Sequence, residues 1–296
     1  MATTAKQWGD AFSTELVAQV PEVERRKRPE IRERAVEIDI WIDSSSLADV
    51  GTFLGARSFV PMRSIREGSH RFFVSKQPWG WGKVDAKLKD GRERAFANWL
   101  WALRRRRGPI IALVGADGAG KSSAMESLDR TTPFGTHVAY LGSRRRKRKS
   151  SIGSQPAPRS SAREVVGVGV WLVRSARRLL PIHLQARLGR VVICDRHPIE
   201  IAAVDGAPSP AARALRRFIA GRVLPAPDHL FLLAAPGDVL YARKGEHSPE
   251  RLDEMTAAFR RLVEQRGGSE IDATQPPESV VGAIETVLLE LIAARS

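Results

Sequence analysis

The sequence predicts an α/β fold: a doubly wound parallel sheet over residues 108–296, with a smaller N-terminal α+β domain over residues 1–107. Three observations lead there. From Pro109 onward, short apolar runs alternate with amphipathic helical stretches, the pattern of parallel strands joined by crossover helices. Before Pro109, the stretch Val36 to Asp43 alternates apolar and polar residues, as a half-buried strand does. A glycine-rich turn, Gly115 to Ser122, stands between the first strand and the first helix of the second part.

The elements follow in order. Residues 1–35 read as charged helix and loop. In the strand Val36 to Asp43, Val36, Ile38, Ile40 and Ile42 share one face, and Glu37, Asp39, Trp41 and Asp43 share a solvated one. Residues 45–56 look helical. Arg57 to Val60, Arg71 to Val74 and Lys83 to Leu88 look like further short strands, and Arg94 to Leu103 looks helical before an arginine-rich junction. In the second part Ile110 to Val114 is a buried-type strand, Lys121 to Arg130 a helix and His137 to Leu141 a second strand. Residues 143–162, rich in Arg, Lys, Ser and Pro, are expected to form a basic, mobile excursion. Helix 163–188, strand Arg190 to Cys194, a helix near 209–222 and strand His229 to Leu233 come next. Ser248-Pro249-Glu250 supplies a cap, a first-turn proline and an early acid for a helix carrying Leu252, Met255, Phe259, Leu262 and Val263. Ile271 to Ala273 reads as a fifth strand, and Pro277 starts a final helix striped by Val280, Ile284, Val287, Leu288 and Leu291.

Composition bounds the function classes. A chain of 296 residues that is 43% hydrophobic can bury one large core or two domains, and two is the expectation. The single cysteine, Cys194, excludes an intramolecular disulfide framework and reads as a buried strand residue rather than a nucleophile. Met1 to Val20 is interrupted by Lys6, Asp10 and Glu15, unlike a signal peptide. With a single cysteine and no visible secretory segment a reducing cytoplasm is the expected compartment, and the longest apolar run, Val165 to Val173, falls short of the about 20 residues that span a bilayer, so a soluble protein is expected. The net charge of +15 invites a nucleic-acid or anionic-membrane partner. Much of the excess sits in three short runs, Arg25 to Arg28, Arg104 to Arg107 and Arg144 to Lys149, which read first as solvated surface or loop. Trp79, Trp81, Trp99 and Trp101 read as core packing near the domain junction.

The chemistry concentrates in Gly115-Ala-Asp117-Gly118-Ala-Gly120-Lys121-Ser122, a P-loop spacing between strand and helix. Glycines let backbone N–H groups approach a polyphosphate closely, and the following helix start adds a favourable dipole. Lys121 can reach the β- and γ-phosphates and the Ser122 hydroxyl can sit on Mg²⁺, with Ser123 beside it.

This loop, with an acid inside it, resembles the thymidylate kinase form of the P-loop, and the order of elements over 109–296 is similar to that P-loop NTPase family. Val191-Val-Ile-Cys-Asp195-Arg196-His197 looks like the family's third strand ending in Asp-Arg-Tyr. There the resemblance implies that Asp195 helps hold Mg²⁺ and Arg196 meets the acceptor's phosphate. Pro227 to Pro236 resembles the strand before the lid, which makes Arg243, Lys244 and Arg251 lid candidates, Arg243 with a catalytic role beside Lys121 and Asp195. Asp117 would approach the acceptor sugar as well as the nucleotide. Three departures stand out. No Glu-Pro-Gly follows the second strand, which runs into Leu141-Gly142-Ser143-Arg144, His197 replaces the tyrosine, and Ile199-Glu200-Ile201 does not reproduce the usual following segment. The residues alone also allow Asp195 to be a surface cap, and Arg243, Lys244 and Arg251 to be ordinary helix-surface charge.

Residues 36–103 carry a fainter resemblance to the nucleotidyltransferase superfamily. Glu37-Ile-Asp39-Ile looks like its carboxylate strand, and Trp81-Gly-Lys-Val-Asp85 offers a third acid. The Gly-Ser motif expected upstream is replaced by Arg-Lys-Arg-Pro-Glu, so the reading is a noncatalytic relic or a structural sheet.

The expected function is ATP- and Mg²⁺-dependent transfer of the γ-phosphoryl group to a small-molecule acceptor, foremost a nucleotide. The alternative is a catalytically silent nucleotide-binding regulatory protein. A third reading, a polynucleotide kinase or motor, ranks lower because no nucleic-acid module accompanies the basic runs. The oligomeric state is left open, a homodimer included.

Overall fold

A computed structural model describes residues 2–20, 22–26, 29–32, 35–62, 70–78, 80–89, 107–142, 161–204 and 209–295. The expected helix Arg94 to Leu103, the arginines at 104–106 and 144–149, most of the basic excursion and Trp79, Trp99 and Trp101 lie outside these residues. The described chain is mixed α/β and builds two sheets.

The first sheet holds β1 (Glu24–Arg25), β2 (Glu30–Arg32), β3 (Ala35–Ile42), β4 (Val60–Met62), β5 (His70–Gln77) and β6 (Gly80–Leu88). Its order is β1-β3-β6-β5-β4, with β2 paired to β3. The β3–β6 pair is parallel and the β5–β6 and β4–β5 pairs are antiparallel. Helices α1 (Ala2–Gln19) and α2 (Leu47–Gly55) cover one face. Val36, Ile38, Ile40 and Ile42, fully buried, meet Phe12 and Leu16 of α1 and Val50, Phe53 and Leu54 of α2 there.

The opposite face departs from expectation. Asp39 is only 5% exposed, so β3 is closed on both sides rather than half-buried. Ala35, Phe72, Val74 and Trp81 on that face join the core formed by helices of the second sheet, while Glu37 and Trp41 stay half-buried. The first crossing after α2 also shifts. Arg57, Ser58 and Phe59 do not start a strand; their N–H groups bond back to the Leu54 and Gly55 carbonyls and close the helix, with Ser58 in the left-handed region (φ 62°). The short strands β1 and β2 arise where charged loop was expected, because they find partners on the edge of β3.

The second sheet holds β7 (Ile110–Val114), β8 (Thr136–Tyr140), β9 (Val191–Asp195), β10 (His229–Ala234) and β11 (Ser269–Asp272), all parallel, in the order β11-β10-β7-β9-β8. Its helices are α3 (Lys121–Thr131), α4 (Ser161–Arg187), α5 (Pro210–Phe218), α6 (Gly237–Lys244), α7 (Pro249–Arg266) and α8 (Pro277–Ala293). Alternation sorts them onto two faces. Ile111, Leu113, Ile193, Phe231 and Leu233 meet Met125 and Leu128 of α3 and Ile284 and Leu288 of α8. Ile110, Ala112, Val192, Cys194 and Leu232 meet Leu179 and Ile182 of α4 and Phe259 and Leu262 of α7. Ser248 caps α7 as expected, its Oγ accepting from the Arg251 N–H. Helix α6 and a short 3₁₀ turn at Pro198–Ala202 had no counterpart in the sequence reading.

Asp228 at the foot of the sheet receives both guanidinium nitrogens of Arg107 (2.6 and 2.8 Å), the Ile110 N–H (2.7 Å) and Arg295 (2.7 Å). Its carboxyl suffers burial, yet these donors hold it below the ordinary carboxylate value. Thus Arg107, the described member of its basic run, is a structural clamp. In the run Arg25 to Arg28, Arg25 donates to Ser13 Oγ (3.2 Å) and Arg26 lies over the Trp41 ring. The two sheets are joined through Glu285 of α8, wholly buried, which accepts from Thr131 Oγ1 (2.9 Å) and pairs with Lys76 of β5. Beside it Trp81 of β6 meets the Phe134 ring edge-on at 5.2 Å. Among the described residues no helix is long and apolar enough to cross a membrane.

Candidate functional site

At the carboxyl ends of β7, β9 and β10 a cavity of about 650 Å³ opens. It is bounded by Asp117, Gly118, Gly120, Lys121, Ser122 and Ser123 from the turn after β7, Asp195 and Arg196 after β9, and Arg243 and Lys244 from α6. Ala273, Gln275 and Pro277 between β11 and α8 close another side, with Tyr140 from the end of β8.

The turn's shape requires glycine at two places. At Gly115 (φ +149°) a Cβ would stand 2.7 Å from the Leu233 carbonyl oxygen, and at Gly118 (φ +91°) one would stand 2.6 Å from that of Leu240. The turn is therefore clamped between β10 and α6, and α3 begins directly from it at Lys121. Lys121 is buried, and its Nζ donates to the Gly115 and Ala116 carbonyls at 2.7 and 2.9 Å. Burial lowers its pKa, with Glu200 the largest opposing influence.

Asp117 gathers basic side chains. Arg196 pairs with it at 2.7 Å and Lys244 approaches to 3.6 Å, with the His247 ring at 3.9 Å. Burial works against its charge, but Arg196, Lys244 and Lys121 outweigh that and hold the carboxyl below its ordinary value. Arg196 adopts a left-handed backbone (φ 60°) rare for a residue with a side chain, as tolerated where the surroundings fix a functional side chain. The two groups expected to meet an acceptor thus bind each other here.

Asp195 ends β9, 5% exposed, and its Oδ1 has no hydrogen-bond partner among the described residues. Arg243 is held by the Ala273 carbonyl (3.0 Å) on the cavity wall. Arg251 is placed elsewhere: in the first turn of α7 it pairs with Glu254 at 2.7 Å, more than half exposed and off the cavity lining. Lys121, Ser122, Ser123, Asp117, Asp195, Arg196, Arg243 and Lys244 are brought together, and Gly115 supports them from beneath.

Glu200 was missed. Burial, with Asp195 and Asp117 adding to it, raises its carboxyl to about 7 against the pull of Lys121 and Arg196. The only signal was an acid four residues after Arg196 in an apolar stretch. His197, where the resemblance expects tyrosine, is 2% exposed; its Nδ1 accepts from the Ile199 N–H, and burial together with His183 lowers its pKa to about 3. It is a neutral structural group. The Cys194 thiol, pushed up to about 12 by burial, is inert at neutral pH.

The acids of the first sheet also meet. Asp39 and Asp85 are direct partners across β3 and β6, and carboxylate oxygens of Glu37, Asp39 and Asp85 lie within 4.8 Å of one another. Lys83 Nζ is 2.7 Å from Glu37 Oε1. A separate cavity of about 270 Å³, lined by Glu37 and by residues 129–134, lies beside this group.

No protein-family model matches the chain, and no curated protein matches it, so the reading of the site rests on its own residues.

Proposed function

We propose that the chain is a P-loop NTPase-type phosphotransferase of the doubly wound class, binding Mg²⁺-ATP on residues 115–122 and transferring the γ-phosphoryl group to a nucleotide or related small phosphorylated acceptor. The observation that supports this most is the glycine-clamped turn opening on a cavity lined by four cations and two carboxylates. A polyphosphate carries the charge such a lining lacks, and a cavity at the carboxyl ends of parallel strands is where this architecture receives ligands.

The residues present fit the implied metal. Ser122 and Asp195 both line the cavity and carry hard oxygen donors, and they would hold Mg²⁺. When bound, Mg²⁺ supplies charge neutralisation to the transferring phosphoryl group. Lys121 exchanges its bonds to the Gly115 and Ala116 carbonyls for phosphate oxygens, and Arg243 and Lys244 supply cationic stabilisation from α6. Gly245 to Ser248 links α6 to α7, and movement there is the lid step that excludes water, which otherwise competes as acceptor. Arg196 recognises the acceptor's anion once Asp117 releases it, and Asp117 then turns to a hydroxyl of the acceptor.

ADP formation with Mg²⁺-ATP, measured against a panel of nucleoside monophosphates, nucleosides and phosphorylated sugars, tests this. Stimulation by one acceptor, lost in Lys121→Ala, is the expected result. Tight ATP binding with no stimulation by any acceptor establishes instead the silent regulatory reading, which the Asp117–Arg196 pairing favours.

A further inference from the structure

Helix α4 is apolar on two opposite sides. Val168, Ser175, Leu179, Ile182 and Ala186 turn inward and are buried, the apolar ones in the core under the second sheet. Val166, Val170, Val173, Leu180 and Leu184, about 200° away around the helix, are 43–72% exposed. Next to this stripe, α5 and the turn after it expose Leu215, Phe218 and Val223 at 40%, 60% and 56%. The two helices lie on the same side of the sheet, and Arg216 of α5 covers the Trp171 ring of α4 at 5.0 Å. An outward apolar face of this extent marks an interaction surface.

Charge decides what covers it. Arg174, Arg177, Arg178, Arg187, Arg217 and Arg222 are exposed on these elements. No carboxylate is exposed among their described residues; Glu164 is half-buried and bonds to Ser209 Oγ. A second copy of the chain would bring arginines against arginines and bury Arg177, which stands inside the stripe, without a carboxylate partner. Nucleic acid would take the arginines but leave the aliphatic side chains no match. A bilayer with anionic headgroups takes both: aliphatic side chains enter the acyl boundary while arginines extend to the headgroups. With 27 residues, α4 is about 40 Å long at 1.5 Å per residue, so it can lie flat on a membrane, and no described helix can cross one.

We propose that the outer face of α4 and α5 docks the protein on an anionic lipid surface. The test is co-sedimentation of the full-length protein with vesicles of phosphatidylcholine alone or mixed with phosphatidylglycerol. The parent protein should sediment with the mixed vesicles and much less with the neutral ones. The double variant Val173→Glu, Leu180→Glu should lose at least about tenfold in partitioning. Both sites are exposed, so the fold should survive; if that variant unfolds, Leu215→Ser with Phe218→Ser makes the same measurement on α5. Three results overturn the proposal: no association with anionic vesicles, association that these apolar replacements leave unchanged, or a concentration-dependent dimer of the parent that they dissolve.

Discussion

The molecule gathers carboxylates and cations in two regions, and the two are built differently. Around Lys121 the charged groups stand at a strand end and on the turns and helices beyond the strands, lining a cavity of about 650 Å³, and the Asp195 Oδ1 atom has no partner among the described residues. On the first sheet Glu37, Asp39 and Asp85 stand within β3 and β6, two strands paired over eight residues, and Lys83 answers Glu37 directly. Only Glu37 of the three lines the adjoining cavity of about 270 Å³. Asp39 and Asp85 line neither of these cavities, whereas Asp117 and Asp195 line the larger one. On the function proposed above, position along the strand, more than residue type, separates reactive from structural charge.

The largest expected effect lies in the first region. Lys121→Ala should lower ADP formation by at least about a hundredfold. It should change stability by no more than about 1 kcal/mol, since burial already works against this lysine's charge. A variant that keeps its turnover would break the contrast, because the open region would then be structural too. Next in size is the joint between the regions. Glu285→Ala strips Thr131 and Lys76 of a wholly buried carboxylate and should cost about 3 kcal/mol in denaturant unfolding. Because Thr131 ends the helix that Lys121 begins, a loss of nucleotide affinity beyond the loss of stability would mean that the first sheet tunes the turn before Lys121.

What the sequence disclosed follows the same division. The strand Ile110–Val114, the turn and α3 were legible because local residue types determine them: an apolar run, obligatory glycines and a helix start. The burial of Asp39 was not legible, because alternation marks its strand face as solvated, whereas Ala35, Phe72, Val74 and Trp81 on that face pack into a core shared with helices of the second sheet. Glu200 was missed for a related reason: its neighbours Lys121 and Asp117 come from another strand end. Arg251 looked equivalent to Arg243, yet the start of α7 turns it toward Glu254.

Glu200 gives a pH dependence that sharpens the contrast. Its carboxyl is raised from 4.5 to about 7, so the folded protein holds a proton there that the unfolded chain releases. The stability this group contributes is present in full below pH 4.5 and is lost as pH rises through about 7. Glu200→Gln should remove that loss, so denaturant midpoints of the two proteins, taken without metal, should diverge as pH rises, with the variant the more stable. Parallel midpoints across that window would mean that Glu200 is charged throughout and belongs, like Glu37, with the neutralised acids.

The smallest expected effect decides the second region. If Asp39 and Asp85 serve only the sheet, then Asp39→Asn and Asp85→Asn preserve side-chain shape and relieve two carboxylates paired directly across β3 and β6. Stability should then move by no more than about 1 kcal/mol, and acceptor-stimulated ADP formation by less than about twofold. The asparagine replacement is the informative one, since alanine would add a cavity beside Phe72, the direct partner of Asp85 across β5 and β6, and confuse packing with charge. A fall in turnover as deep as that of Lys121→Ala, at unchanged stability, would show that a mid-strand carboxylate closed over by helices can still take part in chemistry, and the positional rule would not hold for this fold.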